Sequence, residues 1–168
     1  MYKRQTIEKL KPAPILSWEP VIGAAEIECM AKNIYFEAAV ESTAGQLAVA
    51  QVTLNRVKSK NYPNSVCEVV YEGLHYTNSK GKQFPVRDRC QFSWYCDGRL
   101  DEPREGRTWN SAKILAEIVL ENHYDKALID ITDGATHYHA NWMETYPNWS
   151  KKKKVMASID RHIFYKKH

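Results

Sequence analysis

Apolar residues recur at helical intervals in three stretches of the chain. Between Ala24 and Val40, residues Ile27, Met30, Ala31, Ile34 and Ala38 keep the i, i+3, i+4 spacing of one buried stripe, which predicts a helix. Glu37 falls at the edge of that stripe, half against the core and half exposed. Thr43 followed by Gln46 has the spacing of a capping box and predicts the start of a second helix. The segment "AGQLAVAQVTLNRVKS" then carries apolar residues on more than one side. It reads as a helix through the middle of the domain, with Val49, Ala50, Leu54 and Val57 as core contacts. A third helix is expected over about Thr108–Asn122, with Ala112, Leu115, Ala116 and Val119 inward.

Elsewhere the period changes. Thr136, His137, Tyr138 and His139 alternate, as do Ile159, Arg161, Ile163 and Tyr165, so "DGATHYHANW" and "ASIDRHIFYKK" predict a two-stranded antiparallel pair. Residues 61–107 read as irregular, with turn signals in "NYPNS", "NSKGK" and "DGRLDEPREG". Within them "VCEVVYEG" is either a short helix or a strand, and "CQFSWYCDG" a surface-lining loop or short strand rich in aromatics. Helices enclosing a small sheet give a mainly helical α+β domain.

Composition narrows the class. A chain of 168 residues that is 43% hydrophobic can bury one core, so a single domain is expected over residues 23–168. Pro12, Pro14 and Pro20 make residues 1–22 an irregular N-terminal arm. The arm has early positive charge but no apolar segment, so no secretory signal peptide is read there. No stretch approaches the ~20 apolar residues of a spanning helix, so no stable membrane insertion is expected. The net charge is +4, from 24 basic and 20 acidic residues. Lys151–Lys154 holds part of that excess and reads as a solvated turn. Basic residues interleaved with a nucleic-acid reader motif are absent, so no nucleic-acid partner is expected. The four cysteines, Cys29, Cys67, Cys90 and Cys96, form no C-x-x-C pair. Cys29 reads as a small buried residue of the first helix. One disulfide among the other three is compatible with work outside the cytoplasm, and the sequence does not choose the pair.

Three constellations could carry chemistry. Glu37 and Glu41 are four residues apart, a spacing that shares a helix face. General acid catalysis needs a carboxyl kept protonated in a partly apolar wall, and Glu37 meets that need at the core edge beside Tyr35 and Phe36. The plain alternative is a solvated helix end. In "QFSWYCDG", Gln91, Ser93 and Trp94 offer an amide, a hydroxyl and a stacking ring, the mixture that sugar-binding sites use. The alternative places Phe92 and Trp94 in the core. In "ATHYHA", His137 and His139 point to one face of a strand and Tyr138 to the other. A metal would need a third ligand, with His162 the nearest candidate; substrate binding or a structural hydrogen bond is the preferred reading, and no metal or other cofactor is expected.

Taken together, "NIYFEAAVESTAGQLAVAQVTLNRV", "YPNSVCEVVYEG", "CQFSWYCDG", "GATHYHANW" and "IDRHIFY" resemble, in order and spacing, the SleB-like cell-wall hydrolase family of spore-cortex-lytic and phage enzymes. The resemblance covers roughly residues 24–165. It implies a lysozyme-like fold and peptidoglycan glycan strands as substrate. It also implies cleavage of the β-1,4 bond between N-acetylmuramic acid and N-acetylglucosamine by a lytic transglycosylase. The family pattern Y-G-E-A-R-G-E stands here as Tyr35-Phe36-Glu37-Ala38-Ala39-Val40-Glu41, which places the catalytic acid at Glu37 and makes its surroundings more apolar. Glu41 takes a supporting part, tuning Glu37 or holding the start of the second helix through amides near Thr43. Gln91, Ser93 and Tyr138 are expected to position the sugar, with His137, His139 and Trp94 as further substrate-binding residues. The alternative is a module that binds the wall glycan without cutting it. A monomeric phage lysin, made in a host cytoplasm and released to the wall, would reconcile this substrate with the N-terminus.

Overall fold

A computed structural model describes residues 22–168, so the expected N-terminal arm lies outside them except for its last residue. Four helices, α1 (Ala24–Ala38), α2 (Thr43–Lys58), α3 (Val66–Val70) and α4 (Arg107–Tyr124), accompany five strands. Strands β1 (Gly73–Thr77) and β2 (Gln83–Cys90) pair as an antiparallel hairpin. Strands β3 (His137–Ala140), β4 (Lys154–Ile159) and β5 (His162–Lys166) form a separate antiparallel sheet of order β3-β5-β4.

The main core lies among α1, α2, α3 and α4. Met30, Ala31 and Ile34 of α1 meet Ala50 and Leu54 of α2, Val69 and Val70 of α3, and Ala116 and Leu120 of α4. The stripe read from the sequence of α1 is thus the buried one, although the helix ends at Ala38. As expected, α2 is central: every residue from Ala48 to Arg56 is buried. Val57 is only half-buried at the core's edge. A smaller cluster of Ala48, Val52, Ala135 and Phe164 joins the other side of α2 to the sheet.

A helix buried all round must satisfy its polar side chains internally. Those of α2 do so by clamping the segment that leads into β3. Gln51 Nε2 donates to the Ile129 carbonyl, and Gln51 Oε1 accepts from the Ile131 amide at 2.8 Å. Asn55 Nδ2 donates to Asp130 at 2.8 Å and to the Ala135 carbonyl at 2.9 Å. Arg56 Nε donates to the Thr136 carbonyl at 2.8 Å. The start of β3 is therefore held against α2 before the sheet begins.

Several expectations are corrected. The cap of α2 is Ser42, not Thr43: its Oγ accepts from the Gly45 amide at 3.3 Å, and Gln46 Nε2 donates to the Glu41 carbonyl. Ser42 also donates its amide and hydroxyl to Asp160 Oδ2, at 2.9 and 2.6 Å, so the acidic β4–β5 turn faces the positive end of the helix. That close approach requires glycine at position 45, where a Cβ would collide with the Asp160 carboxylate and lie 2.8 Å from Glu41 Cβ. Gly45→Ala is expected to cost about 1–3 kcal/mol by overpacking. Thermal denaturation checks this, and an unchanged midpoint would show the turn free to move.

Residues 61–107 are more ordered than their pattern suggests. "VCEVVYEG" opens as α3, and "CQFSWYCDG" contains a 3₁₀ turn at Ser93–Cys96. The β1–β2 hairpin escapes the sequence because much of it is exposed on both faces, leaving no apolar alternation to read. The predicted C-terminal pair exists, with His137 opposite Tyr165 and His139 opposite Ile163. A third strand joins it because "ASIDRHIFYKK" folds back at Asp160 and Arg161. The lysine run is not one solvated turn: Lys151 and Lys152 end a 3₁₀ helix, Lys153 is half-buried and Lys154 begins β4. The cysteine readings hold in part, with a second bond added. Cys29 is buried but bonded to Cys67, and Cys90 is bonded to Cys96.

Candidate active site

Glu37 sits in the last turn of α1 and points toward the sheet. The Tyr138 hydroxyl donates to its Oε2 at 2.5 Å. Tyr138 is held there by both cores, packing on Phe164 and His162 within the sheet and touching the helical cluster. Burial raises the Glu37 carboxyl above its ordinary pKa, partly opposed by the Tyr138 hydrogen bond and by the Arg56 charge. Burial, then the charge of Glu37, drives the Tyr138 hydroxyl well above its own ordinary value, so it remains a donor.

The neighbours of Glu37 in sequence brace the helix from the other side. Phe36 stacks on Trp94 at 4.7 Å between centroids, and Tyr35 meets Trp109 edge-on. One turn before the acid, Asn33 accepts from Trp94 Nε1 at 3.0 Å and donates to Thr53 at 3.1 Å. This buried network ties α1, α2 and the 3₁₀ turn together beneath Glu37.

Arg56, a residue the sequence reading missed, is the cation of the site. It is buried, with its guanidinium lying 5.2 Å from the Tyr62 ring centre and 4.9 Å from that of Phe92. Its position on a helix whose apolar residues leave no polar face was the available signal. Glu72, also missed, lies where α3 gives way to β1. Its carbonyl accepts from the Gln91 amide at 2.9 Å, and burial raises its carboxyl against the pull of Arg56. Among the described residues, three buried side-chain polar atoms lack a partner in the protein: Arg56 Nη1, Glu72 Oε2 and His162 Nδ1. Arg56 acts on both carboxyls, and the His162 ring is 5.2 Å from that of Tyr138, so all three border the same region. Unpaired buried polar groups are costly, so each needs an explanation, and a ligand or water bound in this region would supply one.

The remaining candidates divide. Gln91 and Ser93 are exposed beside Glu72 and Trp94. Trp94 is not a surface stacking ring: it is buried, and both its face and its N–H are used inside the protein. His139 is likewise no free contact, since it is buried with Nε2 at 2.8 Å from the Tyr165 hydroxyl and Nδ1 at 2.9 Å from the Ala140 carbonyl. His137 is half-buried near Tyr62 and Thr136. His162 faces Tyr138, on the opposite side of the sheet from His137 and His139, so the three imidazoles do not converge. Among the described residues no three His, Cys, Asp or Glu side chains are grouped to hold a metal. Glu41 lies beyond the end of α1, so it does not share a helix face with Glu37. Its carboxylate pairs with Arg161, at 2.9 and 3.0 Å, instead of the amides near Thr43. It pins the β4–β5 turn.

Known proteins share this architecture. The catalytic domain of the germination-specific lytic transglycosylase SleB from Bacillus anthracis superposes with a TM-score of 0.63 at 26% identity, covering 88% of this chain and 98% of that one. The catalytic domain of the Bacillus cereus SleB protein gives 0.60 at 27% identity, over 86% and 91%. The expected lysozyme-like α+β fold is thereby borne out. In sequence, 52 residues are 44% identical to the spore cortex-lytic enzyme of Bacillus subtilis (strain 168), spanning 31% of this chain and 17% of that enzyme. The corresponding enzyme of Halalkalibacterium halodurans matches equally over 31% and 16%. The match thus spans less than a fifth of these curated relatives. The profile described as Cell Wall Hydrolase matches residues 40–165, beginning just past Glu37 and taking in Arg56, Glu72, Gln91 and Tyr138. On that match, which covers most of the chain, this protein belongs to the cell wall hydrolase family.

Proposed function

We propose that this protein is a peptidoglycan-degrading muramidase that cleaves between N-acetylmuramic acid and N-acetylglucosamine as a lytic transglycosylase, with Glu37 as acid and base. The observation that carries the reading is the half-buried Glu37 carboxyl, raised in pKa by burial and held by the Tyr138 hydroxyl. With Tyr138 donating to Oε2, Oε1 is the oxygen that carries the proton to the glycosidic oxygen. The bond from that oxygen to the muramic anomeric carbon breaks, and an oxocarbenium-like charge develops beside the new carboxylate. The carboxylate then removes the proton of the muramic 6-hydroxyl as that oxygen closes on the anomeric carbon. The products are a free N-acetylglucosamine hydroxyl and a 1,6-anhydro end; no water is consumed and Glu37 is protonated again.

Glu41 is committed to Arg161, so it is not placed as a nucleophile across the sugar. Glu72, Gln91 and Ser93 lie together near Arg56 and supply polar contacts for sugar hydroxyl and acetamido groups. The departure at Phe36 favours catalysis over a binding-only module, because that ring is absorbed by stacking on Trp94. Two disulfides suit work in an oxidising compartment outside the cytoplasm, as a wall-directed lysin would require. Mass spectrometry of products from purified peptidoglycan tests the mechanism. Anhydro-muramic ends are expected; reducing muramic ends would mean hydrolysis, and binding without soluble fragments would mean a non-catalytic module.

A further inference from the structure

Lys58, Lys153, Lys166 and Lys167 converge on one concavity of about 590 Å³ beside β3. Tyr62 and His137 supply aromatic wall, Asn61 adds an amide, and no carboxylate lines it. The lysines come from three separate parts of the chain: the end of α2, the segment before β4, and the end of β5. Lys153 and Lys166 are half-buried. Lys166 Nζ donates to the Asp133 carbonyl at 3.3 Å, a neutral acceptor. Among the described residues the salt bridges lie elsewhere, at Lys32–Glu28, Arg87–Asp88 and Arg161–Glu41. Arg56 adds a fifth charge from behind the wall, bonded to the Thr136 carbonyl and with Nη1 unpartnered. Burial, Lys153 and Arg56 push the His137 imidazole down to about 4, so it is a neutral wall at physiological pH. Like charges gathered in a concavity repel one another and focus a field that favours an anion.

We propose that this concavity is an anion subsite that takes a carboxylate of the peptide carried by the muramic acid at the cleavage point. The assignment rests on the muramidase reading. Thr136 and His137 line the subsite on the face of β3 opposite Tyr138, and Arg56, which donates to the Thr136 carbonyl, links it to the acid because its charge acts on both His137 and Glu37. On this reading the anion bound there is carried by the same glycan strand whose bond Glu37 breaks. The peptide branches from the muramic ring and ends in carboxylates. Lysine ammonium groups hold such groups by charge-assisted hydrogen bonds. A phosphodiester wall polymer offers the same charge, and the experiment separates the two.

Strands freed of phosphodiester polymers are prepared with their peptides intact and, separately, denuded by an amidase. The wild-type protein is expected to show a KM about tenfold lower on the intact strands, the size of one or two charge-assisted hydrogen bonds. Lys58→Gln, Lys153→Gln and Lys166→Gln together remove that difference while kcat stays within about twofold, the signature of lost ground-state binding. Lys153→Gln with Lys167→Gln serves as a second variant with a smaller loss, should the triple fail to fold. Equal KM values for the wild type on both substrates would overturn the subsite. So would a preference that survives in the variants, or one seen only where phosphodiester polymer is left on the strands. Failure of the wild type to cleave any strand would count against the muramidase reading instead. The subsite is then read by titrating N-acetylmuramyl dipeptide: binding lost in the lysine variants retains it, and no binding removes it.

Discussion

Replacing Glu37 by Gln removes lysis of purified cell walls, by about 10²–10⁴-fold for loss of a positioned acid and base, while the fold remains. The same substitution raises thermal stability at neutral pH. Burial lifts the carboxyl pKa in the folded protein above its unfolded value. The folded state therefore holds the proton more tightly than the unfolded one. That stabilisation is complete below the ordinary carboxylate range and is lost as pH rises through the folded pKa. Glutamine carries no charge at any pH, so the variant gains relative to wild type at pH 7 and not at pH 4. A gain of about 1 kcal/mol corresponds to roughly 2–4 °C for a chain of this size. Melting curves at the two pH values, read beside wall turbidity, test both parts. Full lytic activity in the variant would remove Glu37 from the mechanism. Tyr138→Phe deletes a hydrogen bond that favours the carboxylate. It is expected to move the alkaline limb of the activity profile to higher pH, because the acid then keeps its proton longer.

Replacing Cys29 and Cys67 together by Ala is expected to have the largest effect on stability. Their bond closes a sequence separation of 38 residues and fastens α1 to α3. Chain-entropy reasoning assigns such a loop about 3–4 kcal/mol, which lowers the melting midpoint by about 10 °C. The Cys90–Cys96 bond closes only 6 residues and contributes about 2 kcal/mol on the same reasoning. Its effect is local, because it holds the 3₁₀ turn that presents Ser93 and buries Trp94. Denaturation with and without reductant measures both. A midpoint unchanged by reductant and by the double substitution would show that packing of α1 on α3 suffices to hold that corner.

The candidate acid was legible because Glu37 stands at the edge of a clear helical stripe and within a recognisable motif. Tyr138 was singled out by its motif as a residue to position the sugar, and its hydrogen bond to Glu37 was not legible. Trp94 and His139 were misplaced because a ring in a polar stretch reads alike whether it faces solvent or a buried partner. Only Asn33 and Phe36 for the one, and Tyr165 for the other, make the difference. Arg56 and Glu72 could not be singled out, since their meaning lies in burial near a third group.

The sequence by itself determined the helices α1, α2 and α4, the pairing of β3 with β5, and the identity of the candidate acid. Those follow from local periodicity and short motifs, which need no knowledge of distant neighbours. Tertiary structure decided the disulfide partners, the exposed β1–β2 hairpin, the tie of Glu41 to Arg161 and the meeting of four lysines in one concavity. Each joins groups separated along the chain, and such proximity is set by how the helices and sheet pack together.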